Sequence, residues 1–191
     1  MLEAEEFCPK DKKEWRTWLK MNHKKKDSVW LIFYKKQSPK YNLSWSESVD
    51  QALCFGWIDS TKRAIDQESF KQYFSKRKPK SNWSKVNKDK VENLIAQGLM
   101  EEAGYKSIEV AKENGSWTFL DSVENLEIPI DLKQALESHK GSGEFFESLS
   151  KSDKKILLYW VISAKRKETR QKRITEIAEN ASNHCKPKQF R

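Results

Sequence analysis

The forty-four residues from Ser44 to Asn87 constrain this chain more than any other stretch. Ser44 and Glu47 have the S-x-x-E spacing of a capping box, in which each end of the pair satisfies a free backbone N–H of the other. Val49, Ala52 and Leu53 then supply a buried stripe, and Gly56 stands where a helix ends in a left-handed residue. Two runs rich in β-branched and aromatic residues follow directly, Trp57 to Ile65 and Phe70 to Arg77, joined by a short turn around Asp66 to Ser69. Their spacing predicts an antiparallel pair. A capped helix delivered straight into a hairpin requires a sheet with helices packed on it.

The flanking sequence fits that plan. Trp15, Trp18 and Leu19 predict a short amphipathic helix over Asp11 to Met21, and Ser28 to Lys36 reads as a further strand. Val86, Val91, Leu94 and Ile95 mark a helix closed by Gly98, and Met100 to Glu113 another closed by Asn114-Gly115. Ser116 to Pro129 is acidic and reads as mostly extended. Beyond it the chain is helical, and the segment with Ile156, Leu157, Tyr159, Trp160 and Ile162 is apolar nearly all round, which predicts burial. The expected fold class is α+β, mainly helical. A small antiparallel sheet of about three strands, from Val29, Trp57 and Phe70 onward, packs with helices. The expected domains are an N-terminal α+β domain over residues 1–125 and a C-terminal helical module over 126–191.

Composition narrows the function classes. The 191 residues include 37% hydrophobic ones, enough for one sizeable core or two small ones. The three cysteines, Cys8, Cys54 and Cys185, form no CxxC pair, which argues against a disulfide framework or a zinc site. The acidic start MLEAEEFCPK lacks the apolar core of a signal peptide, and the run Ile156 to Ile162 is too short to span a bilayer. The expected location is the cytoplasm, without membrane insertion. The net charge of +9 is uneven, being −7 over residues 101–150 and +8 over 151–191. Such asymmetry attracts nucleic acid or other anions, or else forms a solvated lysine-rich surface with internal complementarity.

No catalytic constellation stands out. None of the six glycines forms GxGxxG or a phosphate loop, and there is no HExxH or GxSxG. No cofactor is expected. His23, His139 and His184 read as ordinary surface residues. Asp59 is the candidate acid or base beside Lys62 or Arg63, weighed against a simple cross-strand ion pair. Cys54, with no histidine near it in sequence, reads as a core residue rather than a nucleophile. Residues 71–90 carry eight Lys/Arg and a single acid, Asp89, interleaved with Tyr73, Phe74 and Trp83. Such a segment suits phosphate neutralisation and base stacking, with Arg77, Lys78, Lys80, Trp83 and Lys85 as the nucleic-acid-binding candidates. Strand alternation puts one of its aromatic sets in the core.

Two separated motifs carry a family resemblance. ALCFGWIDS at Ala52 to Ser60 and YFSKRKPKSNWSKVN at Tyr73 to Asn87 resemble the YdeI/OmpD-associated family, also called bacteriocin-protection proteins. Family members look like CFGWIDG followed by QRF-T/S-PRR-x-x-S-x-W-S-x-x-N. This chain has Ser60 in place of the glycine, Gln72, Tyr73 and Phe74 at Gln-Arg-Phe, and Lys76, Arg77 and Lys78 at PRR. IPIDLKQALE and FFESLSKSDKKILLYWVISAKRKETRQKRITEI resemble the family's helical C-terminal module, so the likeness runs from about Trp15 to Ile177. The resemblance implies a role in tolerance of bacteriocins or cationic antimicrobial peptides, with no secure reaction or cofactor. It leaves the protein or peptide partner and the oligomeric state open. Three readings stand at this point: a non-enzymatic binding protein, a nucleic-acid binder, and an enzyme using Asp59. The expected ligand site is a shallow aromatic cleft near Trp57, with Arg77, Lys78 and Trp83 at its rim, Asp59 at its edge and Trp45 close by. The competing expectation is that these tryptophans form the core between sheet and helices.

Overall fold

A computed structural model describes residues 4–191. The chain divides into two compact units, one ending at Phe119 and the other running Leu120–Arg191. The first unit contains β1 (Glu6–Phe7), α1 (Lys12–Asn22), β2 (Ser28–Tyr34), α2 (Trp45–Cys54), β3 (Trp57–Ala64), β4 (Ser69–Lys76), α3 (Lys85–Ala96) and α4 (Glu102–Glu113). Its strands form one sheet in the order β1-β2-β4-β3. The hairpin β3–β4 and the pair β2–β4 are antiparallel, while β1 runs parallel to β2. The fourth, parallel strand adds to the three antiparallel ones expected. Two residues are too few to show an alternation; Phe7 is held there by stacking on Trp18, 5.7 Å between ring centroids.

Burial alternates along β2, with Val29, Leu31 and Phe33 enclosed. The core face of the sheet meets α1 and α2. Trp15 packs edge-on against Phe74 at 5.4 Å, and Trp18 against Trp57 at 5.8 Å. Trp15 also donates its indole N–H to the Ser48 carbonyl at 3.0 Å, which fixes α1 on α2. Each large apolar side chain enclosed this way contributes roughly 1.5–3 kcal/mol. The capping box is present: Ser44 Oγ accepts from Glu47 N, and the Glu47 carboxylate accepts from Ser44 N. Gly56 has φ +71°, the left-handed corner that turns α2 into β3.

Helix α4 comes very close to that corner. A Cβ on Gly104 would sit 2.3 Å from the Cys54 carbonyl oxygen, and one on Gly56 would sit 2.7 Å from the Ala103 carbonyl oxygen. Glycine at both positions lets two backbones touch, and Glu101 N donates to Cys54 O at 3.1 Å across the contact.

The second unit is helical: α5 (Asp121–Glu124), α6 (Ile130–Ser138), α7 (Ser142–Ser148), α8 (Lys151–Ile162), α9 (Lys167–Ser182) and a final 3-10 turn (Lys188–Phe190). Leu132, Phe146, Leu157, Leu158, Val161, Ile174 and Ile177 are among its core residues. Two expectations need correcting. Ser116 to Pro129 is not extended; it winds through turns and a four-residue helix, closed by bonds such as Glu124 N to Leu120 O. Four residues make barely one turn, too few for the helical period to repeat. Helix α8 is not enclosed all round, because Ile156 and Tyr159 are 44% and 43% exposed.

Candidate functional site

The corner where α2 enters β3 and β4 leaves the sheet builds the site. Trp57 pairs with Lys76 in the register of β3 and β4, so the start of one strand lies beside the end of the other. The Arg77 N–H donates to the Gly56 carbonyl at 2.9 Å and ties the end of β4 to the glycine corner. The Arg77 side chain lies flat on Trp83, its Cζ 3.7 Å from the ring centroid. Its Nη1 donates to Ser81 Oγ at 3.1 Å and to the Asn82 carbonyl at 3.0 Å. Its Nε is buried without an acceptor. Burial pushes the Arg77 pKa down to about 10, while the negative charge of Asp59 pulls the other way. The guanidinium is therefore cationic at neutral pH, yet it forms no ion pair among the described residues.

Beside it lies a cavity of about 450 Å³. One wall is the corner itself, with Phe55, Gly56 and Trp57. A second is Lys76 to Pro79, just past β4. A third is the face of α4 carrying Ala103, Lys106, Ser107 and Val110, at the spacing that aligns residues on one side of a helix. His23 and Lys24, at the end of α1, complete it. Basic side chains come from every wall except the corner, and no carboxylate lines the cavity. Lys76 Nζ is neutralised by Asp27 at 2.9 Å. Lys24, Lys78 and Lys106 take part in no ion pair among the described residues.

The six ligand-site residues expected from sequence are divided by the structure. Trp57, Arg77 and Lys78 line the cavity. Trp83 does not; it is 1% exposed and packed against Arg77 and against Trp117, whose ring centroid is 4.9 Å away. It serves as the surface on which Arg77 is held. Trp45 and Asp59 form a pair of their own: Trp45 Nε1 donates to Asp59 Oδ2 at 2.9 Å, and Gln72 Nε2 donates to the same oxygen at 3.0 Å. Trp45 is 48% exposed, whereas Trp57 is 1% exposed, so the tryptophans are neither all core nor all cleft. Among the nucleic-acid candidates, Lys78, Lys80 and Lys85 are exposed, but the enclosed Trp83 is unable to stack on a base.

Sequence reasoning missed His23, Lys24, Phe55 and the whole α4 wall. His23 is not an ordinary surface residue: its ring packs 5.1 Å from that of Phe55 at the cavity. Cys54 is fully buried, and desolvation raises its thiol pKa, which disfavours the thiolate a nucleophile needs.

Among the described residues no group of three or more His, Cys, Asp or Glu is placed to hold a metal ion, and no helix is long and apolar enough to cross a membrane. Elsewhere, a concavity of about 800 Å³ follows α9 from Lys167 to Glu179. All its lining residues belong to that one helix and carry both signs of charge, so it is an open flank rather than a built site.

Residues 7–107, more than half the chain, match the family model described as Domain of unknown function (DUF8412). The chain belongs to this family. The whole cavity except Val110 falls inside the matched range. Residues 125–184 match the model described as Bacteriocin-protection, YdeI or OmpD-Associated, which covers most of the second unit. That match bears out the family resemblance in the helical module. The motifs around Trp57 and Trp83, expected to carry the same resemblance, fall instead within the DUF8412 match. No curated protein and no solved structure matches the chain significantly.

Proposed function

We propose that this DUF8412 protein is a non-enzymatic cytoplasmic binding protein that acts in tolerance of bacteriocins or cationic antimicrobial peptides. The observation that carries this reading is the bacteriocin-protection match over residues 125–184. The first unit supplies a binding site for it: an apolar-walled cavity with Trp57, Arg77 and Lys78 on its lining. Binding is favoured over catalysis by the state of Asp59. Its carboxylate is engaged by Trp45 and Gln72 and does not line this cavity. The nucleic-acid reading is weaker because Trp83, the ring among its candidate contacts, is enclosed. A host lacking the chain, challenged with a panel of bacteriocins and cationic peptides, tests the proposal. The expected result is reduced survival that the wild-type chain restores. Unchanged survival across the panel overturns it.

A further inference from the structure

We infer that the cavity beside Trp57 and Arg77 takes a small ligand with a flat apolar body and a carboxylate or phosphate group, bound by the Arg77 guanidinium and the lysines around it. This deepens the binding-protein reading and rests on its choice of site. Three observations carry it.

The first is the bonding of the guanidinium. Only Nη1 is engaged, by Ser81 and Asn82. Nε is buried without an acceptor, and Nη2 forms no hydrogen bond among the described residues, so the guanidinium keeps unused donors of the kind that match a carboxylate or phosphate. The Trp83 ring centroid lies 3.7 Å from the guanidinium carbon, so the cation is held in place before any ligand arrives. The second is charge. Lys24, Lys78 and Lys106 surround the same space with no carboxylate among the lining residues. A cation entering there meets only like charge, which excludes a cationic peptide as the occupant and favours an anion. The third is the remaining wall. Phe55, Trp57, Pro79 and Val110 are apolar, and the buried Trp57 indole N–H also has no acceptor. The volume of about 450 Å³ is that of a small-molecule site. A tolerance factor built this way responds to an anionic metabolite or signal rather than sequestering the peptide itself in this cavity.

Calorimetric titration of the full chain with 1-naphthoate, with its neutral isostere 1-naphthamide and with phenyl phosphate tests the inference. One site is expected, with naphthoate or phenyl phosphate binding at least about tenfold more tightly than the amide, as a charge-assisted contact requires. Whichever of the two anions binds more tightly assigns the carboxylate or the phosphate. Arg77→Lys keeps a cation but removes the fork and is expected to lose about tenfold. Lys24→Ala with Lys106→Ala changes only exposed side chains and is expected to weaken both anions without altering the fold. Equal affinity for the amide, no binding of either anion, or affinities unchanged in both variants overturns it. A failure here leaves survival of the complemented host untouched, and unchanged survival leaves anion binding untouched, so the two readings fail separately.

Discussion

The Arg77 guanidinium carbon stands 3.7 Å from the centroid of the Trp83 ring, and this stack joins the sheet to the loop that follows it. Trp83 is thereby a platform instead of a ligand contact, and Arg77 is fixed at three points: the ring, Ser81 Oγ and the Asn82 carbonyl.

Replacing Arg77 by alanine removes the stack and both bonds. The expected loss of stability is about 2 kcal/mol, from a half-desolvated cation–π contact and two hydrogen bonds. Urea denaturation measures it. Arg77→Lys is expected to recover less than half of the loss, because lysine offers no flat face to the indole. Full recovery by lysine would mean that charge alone holds the loop.

Gly104 gives a test whose sign is informative. Alanine is the better helix former by about 1 kcal/mol in an open helix. Here its methyl group would sit 2.3 Å from the Cys54 carbonyl oxygen, a backbone atom that cannot move aside cheaply. Gly104→Ala is therefore expected to destabilise the chain by about 1–3 kcal/mol, the usual cost of overpacking. A rise in the thermal midpoint would show that α4 does not press on the end of α2.

The capping box couples stability to acid. Backbone and side-chain hydrogen bonds from Ser44 hold the Glu47 pKa below its ordinary value. A carboxyl group whose folded pKa is depressed contributes stability above its unfolded pKa and loses it as pH falls through the folded one. Ser44→Ala is expected to cost about 1 kcal/mol at neutral pH and to flatten that acid limb. Equal losses at neutral pH and below the folded pKa of Glu47 would sever the link between the cap and Glu47.

In the helical unit, Arg170 grips Asp131 with Nε at 2.6 Å and Nη2 at 2.9 Å, and these bonds lower the Asp131 pKa. The sign is the same: the contribution is present above the ordinary aspartate pKa and fades as pH falls through the depressed one. Both side chains are partly exposed, at 30% and 43%, so a double-mutant cycle with Arg170→Ala and Asp131→Ala is expected to give no more than about 1 kcal/mol. A coupling several times larger would mark the pair as the centre of this unit's stability.

Periodicity made much of this legible. Ser44 and Glu47, Gly56 and the hairpin of Trp57 and Phe70 were readable because each depends on neighbours in sequence. Strand β1 escaped because two residues have no period, and its place is set by Phe7 stacking on α1. The site was half legible. The return of β4 toward Trp57 follows from hairpin geometry, which brings Arg77 and Lys78 to the same cavity as Trp57. The α4 wall does not follow, since its position depends on Gly104 and Gly56 allowing backbone contact over a separation of nearly fifty residues. Trp83 is enclosed rather than at the rim for a related reason: only the tertiary fold brings Arg77 and Trp117 against its ring.

The most direct measurement is complementation by a chain whose cavity charge is reversed. Lys24→Glu with Lys106→Glu alters two exposed side chains and leaves the core, Trp57 and Arg77 in place. In a host lacking the wild-type chain and challenged with cationic peptides, the reversed chain is expected to fold with a near-unchanged thermal midpoint and to fail to protect. Protection equal to wild type by a chain with that cavity reversed would contradict it.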